Sequence, residues 1–588
     1  MVPRPEFPNP QFERKDWLNL NGRWSFAFDH GKTGEERGFY EKENESAFDK
    51  EINVPFTFES PLSGVNIKDF CACVWYKRTF NVSEGWAKGK LLLRFGAVDY
   101  HAKVWINGKY AGFHRGGMTS FAFDISELVK PGENSVVVKA LDELRTGKQP
   151  GGKQCHNFYS FGCYYTRTTG IWQTVWLEHI PSESYIRDFK IFTDIENSSV
   201  TINAAFARAV KDAKFTAEIS YKGKKIASAN LKAGGASLSM SLAIPEQDLH
   251  LWDIGKGELY DLVLSYGGDV VHSYFGMRDI KIDGFKVLIN GRSVFQRLVL
   301  DQGFYPDGIW TAPSADDLKQ DILISMEAGF NGARLHQKIF EPLFHYYADQ
   351  LGYITWGEHG NWGMDYSAES YQNFMCEWVE SVARDFNHPS IVGWCPHNET
   401  HHGQRPDDLA YLYRVTKMLD PTRPVIDTSG YVHVETDIFD CHDYDQDPVT
   451  FKARYDALLN PQKPEDVFQN NNNPRHANRW DWREIMKYPY FVSEFGGTWW
   501  HEANEEEKGD RKQSWGYGKA PESIEGFYKR FEGFITALLD NPRIFAFCYT
   551  QLTDVEQEQN GIVYYDRRKK FDMARLHKIM TKPAAIEK

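Results

Sequence analysis

The chain has few cysteines and no excess of positive charge. Eight cysteines in 588 residues, without a CxxC pair, form neither a disulfide framework nor a typical zinc site, so we expect free thiols. Lys and Arg number 68 against 81 Asp and Glu, which gives a net charge of -13. No basic surface is therefore expected to neutralise a phosphate backbone, and we expect no nucleic acid partner.

Long hydrophobic runs are also missing. No stretch of about 18 apolar residues occurs, so the sequence predicts no membrane-spanning helix and no membrane partner. The first residues, Met1-Val2-Pro3, lead into no apolar core of the kind found in signal peptides. We expect a cytoplasmic protein, with secretion after removal of a signal peptide as the alternative. Whether the chain forms a homo-oligomer is left open.

Aromatic residues are abundant, at 15% of a chain that is otherwise ordinary for a globular protein, with 41% hydrophobic and 25% charged residues. Sugar rings stack on aromatic side chains, but the cores of β-sandwiches produce the same statistic, and the second interpretation is favoured. The length of 588 residues predicts several domains.

Two β-rich regions precede a region of a different pattern. Short strand-like runs separated by turn signals such as Asn107-Gly108 predict a jelly-roll β-sandwich over residues 1–180. A second alternating series over residues 181–277 has the length of an immunoglobulin-like β-sandwich. We expect a multi-domain protein that combines β-sandwiches with an α/β domain.

From residue 278 to 588, strand-like runs alternate with helical ones. This alternation is typical of βα units around a parallel sheet, and eight such units predict a (β/α)8 TIM barrel. One helix is expected from Ala315, where Ser314 and Asp317 form a capping box. The strand candidates are 297–300, 332–335, 353–356, 391–394, 425–427, 438–441, 490–493 and 544–548.

Two strand ends carry a glutamate that could perform catalysis. Catalytic side chains of TIM barrels lie where strands end at the C-terminal face. The fourth strand is followed by Asn398-Glu399, and the seventh by Ser493-Glu494. Strands four and seven lie on opposite sides of an eight-stranded barrel, so the two carboxylates can face each other across its cavity.

A facing pair of carboxylates is what glycosidic bond cleavage requires. One carboxyl group protonates the leaving oxygen, and the other, ionised, acts on the opposite face of the sugar. A lone glutamate after a strand more often forms a surface salt bridge. Both glutamates here follow apolar strands, however, and Asn398 and Gly496-Gly497 flank them, so the catalytic interpretation and the structural one both stand on these residues alone.

The motifs around these glutamates resemble glycoside hydrolase family 2, the β-galactosidase and β-glucuronidase group. The stretch 387–394 followed by Asn398-Glu399 resembles the acid/base signature of the family, and Ser493-Glu494-Phe495-Gly496 resembles its nucleophile strand. The opening, residues 17–24, resembles the start of the family's sugar-binding sandwich. The resemblance covers the whole chain and implies a retaining exo-β-glycosidase without a cofactor, with Glu399 as acid/base and Glu494 as nucleophile.

The resemblance implies further substrate-binding residues. Asn398 would bind the sugar 2-hydroxyl, and Asp301 and His336 would hold outer hydroxyls, although Asp301 could instead cap a turn and His336 could be a core imidazole. Tyr444 would hydrogen-bond the nucleophile, with an ordinary loop aromatic as the alternative. Tyr549 ends the eighth strand where relatives often have a Trp that stacks on the sugar.

The motifs say less about which sugar is bound and whether a metal ion takes part. Family β-glucuronidases use an Asn-x-Lys pair after the eighth strand, and this chain lacks the lysine there, so galactose is favoured, with β-glucuronides and β-galactofuranosides as alternatives. Arg567, Lys508 or Lys519 could supply a cation for an acidic sugar. Residues 397–402 are rich in ligand atoms but lack the HExxH spacing, so no metal is predicted. A catalytically silent carbohydrate-binding protein is the alternative from another class.

Overall fold

The computed structural model describes residues 2–41, 44–400, 404–467, 481–501 and 514–588. Within these ranges, two antiparallel β-sandwiches are followed by a barrel of parallel strands with helices outside it. The predicted fold class is confirmed. The eight cysteines are all unpaired, and none of the described helices is long and apolar enough to cross a bilayer.

The first sandwich packs two main antiparallel sheets around an aliphatic and aromatic core. Its turn at Asn107-Gly108 has φ values of 52° and 76°, as a type I′ hairpin requires. The sheets have the orders β1-β12-β5-β9 and β3-β2-β4-β10-β7-β8. The strands are β1 Trp17–Asn19, β2 Gly22–Phe28, β3 Lys50–Val54, β4 Cys73–Val82, β5 Lys90–Phe95, β6 Val98–Asp99, β7 His101–Ile106, β8 Lys109–Arg115, β9 Phe121–Asp124, β10 Gly132–Leu141, β11 Gly170–Ile171 and β12 Val175–Ile180.

The second sandwich has a three-stranded and a four-stranded sheet, β13-β14-β17 and β16-β15-β18-β19. Buried Arg14 joins it to the first sandwich, because its guanidinium lies 2.7 Å from Glu178 and 2.9 Å from Asp269. The strands are β13 Ile186–Asp194, β14 Ser199–Phe206, β15 Lys214–Tyr221, β16 Lys224–Lys232, β17 Ser237–Ala243, β18 Tyr260–Tyr266 and β19 Asp269–Phe275.

A small hairpin sheet leads into the barrel. Its strands are β20 Ile280–Asp283, β21 Lys286–Ile289 and β22 Arg292–Ser293, and the barrel strands are β23 Gln296–Asp301, β24 Gly332–Leu335, β25 Ile354–Glu358, β26 Ile391–Cys395, β27 His397–Asn398, β28 Thr428–Ser429, β29 Phe439–Asp443, β30 Tyr490–Gly496 and β31 Ile544–Thr550. The described helices are α1 Ala315–Glu327, α2 Pro342–Leu351, α3 Ala368–Asp385, α4 Pro406–Leu419, α5 Pro448–Ala457, α6 Trp482–Ile485, α7 Ile524–Leu539 and α8 Met573–Met580. The capping box predicted at Ser314 and Asp317 is present at the start of α1.

The fifth barrel strand is short and displaced from its predicted position. Seven strands form one parallel sheet in the order β26-β25-β24-β23-β31-β30-β29, and β28 pairs only with β27. The predicted strand at 425–427 is reduced to a single bridge at Val425. Side chains replace the missing ladder between β28 and β29, since His433 lies 2.7 Å from Asp427 and 2.9 Å from Asp440.

A long loop of the first sandwich reaches the C-terminal end of the barrel. We call residues 142–169, between β10 and β11, the sandwich loop. The backbone N–H of Gly151 donates to the Trp362 carbonyl at 2.9 Å, and Gln557 donates to the Gly162 carbonyl at 2.7 Å. The sandwich loop therefore forms part of the wall above the barrel strands.

Candidate active site

Two glutamates lie close together at the C-terminal end of the barrel. Glu399 directly follows β27, and Glu494 lies within β30. One carboxylate oxygen of each, together with Nδ1 of His442, lies within 4.8 Å of the others. The structure thus brings together the two glutamates that the sequence predicts to face each other.

Glu399 is held in an unusual backbone conformation. Its φ is 49°, in the left-handed region that non-glycine residues rarely adopt. Its N–H donates to the Ser429 carbonyl at 2.8 Å, and its Oε1 lies 2.8 Å from Nδ1 of His442. A backbone strained in this way costs about 1–3 kcal/mol and is typical of functional sites. The side chain is 18% exposed, so it can meet a ligand.

His442 links the two glutamates. Its Nδ1 lies 2.8 Å from Glu399 and 3.4 Å from Glu494, while its Nε2 lies 2.9 Å from the Ser429 hydroxyl. Burial alone would lower the pKa of His442, but the carboxylates of Glu494 and Glu399 raise it. Gly430 makes room for the ring, because a Cβ at this position would lie 2.5 Å from it.

The surroundings of Glu494 favour the ionised carboxylate. Its Oε1 lies 3.0 Å from the Arg334 guanidinium, and its Oε2 accepts a hydrogen bond of 2.5 Å from the Tyr444 hydroxyl. Burial would raise the pKa of Glu494, but His442 and Arg334 outweigh burial and hold the pKa well below the ordinary value. An ionised carboxylate is the form that a nucleophile needs.

Arg334 organises the floor of the site, although sequence reasoning missed it. The side chain is fully buried in β24 and lies 2.7 Å from Glu358, in addition to its contact with Glu494. It also donates to the Ser493 carbonyl at 2.8 Å and to Oδ1 of Asn398 at 2.7 Å. A charged residue within an apolar strand was the signal that could have revealed it.

Asn398 presents an unused donor. Its Oδ1 accepts from Arg334, and its backbone N–H donates to Oδ1 of Asn361 at 2.9 Å. Its Nδ2 is buried and has no hydrogen-bond partner among the described residues. Because buried donors are nearly always paired, this amide is ready to bind a ligand oxygen.

His336 and Asp301 are buried near the strand ends. Nδ1 of His336 lies 2.9 Å from Glu358, and burial lowers the pKa of this imidazole. Asp301 accepts from the Gly303 N–H at 2.9 Å. Burial and the neighbouring Asp321 raise the pKa of Asp301, so this carboxyl group is easier to protonate than an exposed aspartate.

Tyr444 joins the group and Tyr549 does not. The Tyr444 ring stacks on Tyr517 with centroids 3.5 Å apart, and its hydroxyl lies 3.0 Å from the Thr550 hydroxyl. Successive strand residues point to opposite faces, so the residue next to Thr550 points outward. Tyr549 is fully buried against Phe495 and Phe531. The structure therefore does not support the predicted sugar contact at Tyr549.

The donor atoms of Glu399, His442 and Glu494 are close enough to hold a metal ion. These atoms already contact one another and are contacted by Arg334 and Tyr444. A guanidinium beside the carboxylates disfavours a second cation there. His401 and His402, part of the other candidate metal motif, lie outside the described residues.

The sequence matches three family models in the order of the folded regions. "Glycosyl hydrolases family 2, sugar binding domain" matches residues 18–181, and "Glycosyl hydrolases family 2" matches residues 184–278. "Glycosyl hydrolases family 2, TIM barrel domain" matches residues 345–499, which include both glutamates.

Individual relatives carry two different names. "Beta-galactosidase 2" of Enterobacter cloacae is 28% identical over 406 residues, which cover 64% of this chain but only 38% of that protein. "Beta-glucuronidase" of Paenibacillus borealis is 24% identical over 461 residues, which cover 71% of this chain and 74% of that protein. Among solved structures, the β-glucuronidase of Lactobacillus rhamnosus aligns with a TM-score of 0.78 at 21% identity, over 99% of each chain. The structural similarity shows the shared fold.

Proposed function

Because the chain belongs to glycoside hydrolase family 2, we propose that it is a retaining exo-β-glycosidase in which Glu494 is the nucleophile and Glu399 the acid/base. One observation supports this most: the nearest oxygens of the two carboxylates lie within 4.8 Å. Such a close approach agrees with retaining glycosidases, in which the second carboxylate must itself reach the anomeric carbon and the two carboxyl groups lie about 5–5.5 Å apart.

The reaction would proceed in two displacements. In the first, Glu494 attacks the anomeric carbon, and the bond from that carbon to the leaving oxygen breaks with its electron pair going to the oxygen. Glu399 donates a proton to the same oxygen. In the second, Glu399 takes a proton from water, the water oxygen bonds to the anomeric carbon, and Glu494 leaves as a carboxylate. His442 can hold one oxygen of Glu399 while the other carries the proton.

The neighbouring residues would position these groups. Tyr444 and Arg334 fix the two oxygens of Glu494 through the contacts described above. The unpartnered Nδ2 of Asn398 would bind the sugar 2-hydroxyl, a contact that strengthens as positive charge develops at the anomeric carbon. His336 and Asp301 would line the outer part of the sugar site.

For the sugar, we propose a neutral β-linked hexose, with galactose first. After β31, Asn560 donates to Glu558 at 3.1 Å, so the segment that would hold a uronate presents a carboxylate. Arg567 is bound to buried Asp321 at 2.9 Å, and Lys519 is exposed. Lys508 lies outside the described residues.

A β-glucuronidase is the second candidate. The name of the Paenibacillus relative suggests it. The buried cation Lys153 would attract a sugar carboxylate, whereas the buried carboxylate of Glu558 would repel it. A β-galactofuranosidase and a silent binding protein are alternatives that no specific contact favours. Cytoplasmic location and oligomeric state stay predictions.

A screen of p-nitrophenyl glycosides tests the proposal. Wild type, Glu494→Ala and Glu484→Ala are compared on β-galactoside, β-glucuronide, β-galactofuranoside and β-glucoside. Glu484 is an exposed glutamate paired with Lys487, so it controls for loss of any carboxylate. We expect release by wild type and Glu484→Ala and none by Glu494→Ala. Equal release by all three, or binding without release by wild type, would contradict an enzyme that uses Glu494.

A further inference from the structure

Lys153 of the sandwich loop carries a buried charge whose partner is not apparent. The residue is 6% exposed, and its ammonium lies 4.0 Å from the ring centroid of Trp362. Among the described residues, no hydrogen bond or ion pair to this ammonium is found. Because a buried ammonium without hydrogen-bond partners is costly, this ammonium is suited to bind a ligand oxygen in addition to its contact with the Trp362 ring.

The surroundings of Lys153 place it in the active site. Burial would lower the pKa of Lys153, but negative charge on the Cys163 sulfur and on the carboxylates of Glu558, Glu494 and Glu399 outweighs burial and raises this pKa. Trp362, beneath the ammonium, has its indole N–H 3.3 Å from the Asn398 carbonyl. The ammonium of Lys153 therefore interacts electrostatically with the region where the sugar would lie.

Glu558 is the matching acceptor. It is 2% exposed, and its oxygens accept from the Tyr165 hydroxyl at 2.5 Å and from Asn560 at 3.1 Å. An ionised carboxylate offers about four acceptor positions, so both oxygens can accept again. Tyr165 connects the two residues, because its backbone N–H donates to the Lys153 carbonyl at 2.8 Å and its hydroxyl donates to Glu558. No ion pair joins Lys153 and Glu558 among the described residues.

We propose that Lys153 and Glu558 form a clamp that binds hydroxyl groups of the terminal sugar and selects neutral β-hexosides over β-uronides. The proposal rests on the proposed glycosidase function. A hydroxyl group can donate to Glu558 and accept from Lys153, whereas a sugar carboxylate can only accept. That carboxylate would also add a charge beside Glu558, Glu494 and Glu399, and like charges at close range repel.

Variants of the clamp test this on substrates that differ only at C6. Lys153→Met and Glu558→Gln are compared with wild type on p-nitrophenyl β-D-galactoside and β-D-galacturonide. Wild type should prefer the galactoside. Both variants should lower kcat/KM for the galactoside about 10- to 100-fold, the range for losing a hydrogen bond to a charged group. Glu558→Gln should also reduce the ratio of kcat/KM for the galactoside to kcat/KM for the galacturonide.

A matched control lies in the same loop. Lys148 is partly exposed and pairs with the exposed Asp365 at 2.5 Å, so Lys148→Met should leave kcat/KM unchanged. Melting temperatures of all variants show whether any loss reflects folding. Glu558→Gln keeps the size of the side chain, so it tests the clamp even if Lys153→Met does not fold.

The clamp is contradicted if wild type prefers the galacturonide, or if Lys153→Met hydrolyses the galactoside as wild type does. A binding measurement distinguishes failure of the clamp from failure of the proposed glycosidase function. Calorimetry with a non-hydrolysable thio-β-D-galactoside needs no turnover. Weaker binding by Lys153→Met than by wild type supports the clamp even if no glycoside is hydrolysed, and equal binding or none by wild type contradicts it.

Discussion

Replacing Arg334 by methionine should show how strongly the site depends on one buried cation. Methionine keeps an unbranched side chain but has no charge and no guanidinium, so Glu358 and Glu494 lose a partner at 2.7 Å and 3.0 Å respectively. Removing one member of a buried ion pair costs about 3–5 kcal/mol of stability. The variant should therefore unfold at a clearly lower denaturant concentration than wild type.

The same change should move the pH profile in a defined direction. After the opposing effect of burial, His442 and Arg334 are the main causes that lower the pKa of Glu494. Without Arg334 this pKa rises, so less nucleophile is ionised at low pH. The acidic limb of kcat/KM against pH should shift to higher pH, and activity at neutral pH should fall as Asn398 loses its contact with Arg334.

Two further variants make the test specific. Arg23→Met removes an ion pair with Glu51 in which both side chains are exposed, and it should change neither stability nor the pH profile. Arg334→Lys retains the positive charge but lacks the planar guanidinium. It should return the acidic limb of kcat/KM towards its wild-type pH, whereas the contact that orients Asn398 should stay lost. An acidic limb that does not move in Arg334→Met, with activity retained, would refute the electrostatic account of Glu494.

Three other predictions concern the nucleophile, the barrel and metals. Tyr444→Phe removes a hydrogen bond to Glu494 worth about 1.5–3 kcal/mol, so kcat should fall about 10- to 100-fold, and an unchanged kcat would contradict the role. Burial would lower the pKa of His433, but Asp427 and Asp440 raise this pKa from 6.5 to about 10. The stability that protonated His433 contributes is therefore complete below pH 6.5 and is lost as the pH rises towards 10. His433→Asn should lower the urea midpoint more at pH 6 than at pH 10, and equal losses at the two pH values would contradict this role of His433. Dialysis against EDTA should leave activity intact, whereas a loss that zinc or magnesium restores would show a metal.

The sequence predicted those parts of the molecule that depend on local pattern. Alternating strands and turns such as Asn107-Gly108 indicated the sandwiches, and repeated βα units indicated the barrel. Because parallel strands of a barrel end on one face, the positions of Glu399 and Glu494 in the chain were enough to predict that they approach each other. The resemblance to a family supplied the roles proposed for them.

What the sequence did not reveal depends on contacts between distant segments. Lys153 reaches the site through a loop of another domain, and Arg334 contacts residues on three other strands, β25, β27 and β30. The sugar contact at Tyr549 stays a prediction. A shift of one residue along a strand reverses the side-chain direction, and Thr550, the next residue, takes the inward position. The fifth strand was displaced because side-chain contacts of His433 replace its ladder.

Covalent trapping tests the central claim most directly. The 2-deoxy-2-fluoro glycosyl fluoride of the sugar identified by the substrate screen should inactivate the protein and leave one sugar per chain. Peptide mass spectrometry should place that sugar on Glu494 in wild type and find none in Glu494→Ala. A label on a different residue, or hydrolysis that first releases the inverted anomer without any label, would contradict a retaining mechanism through Glu494.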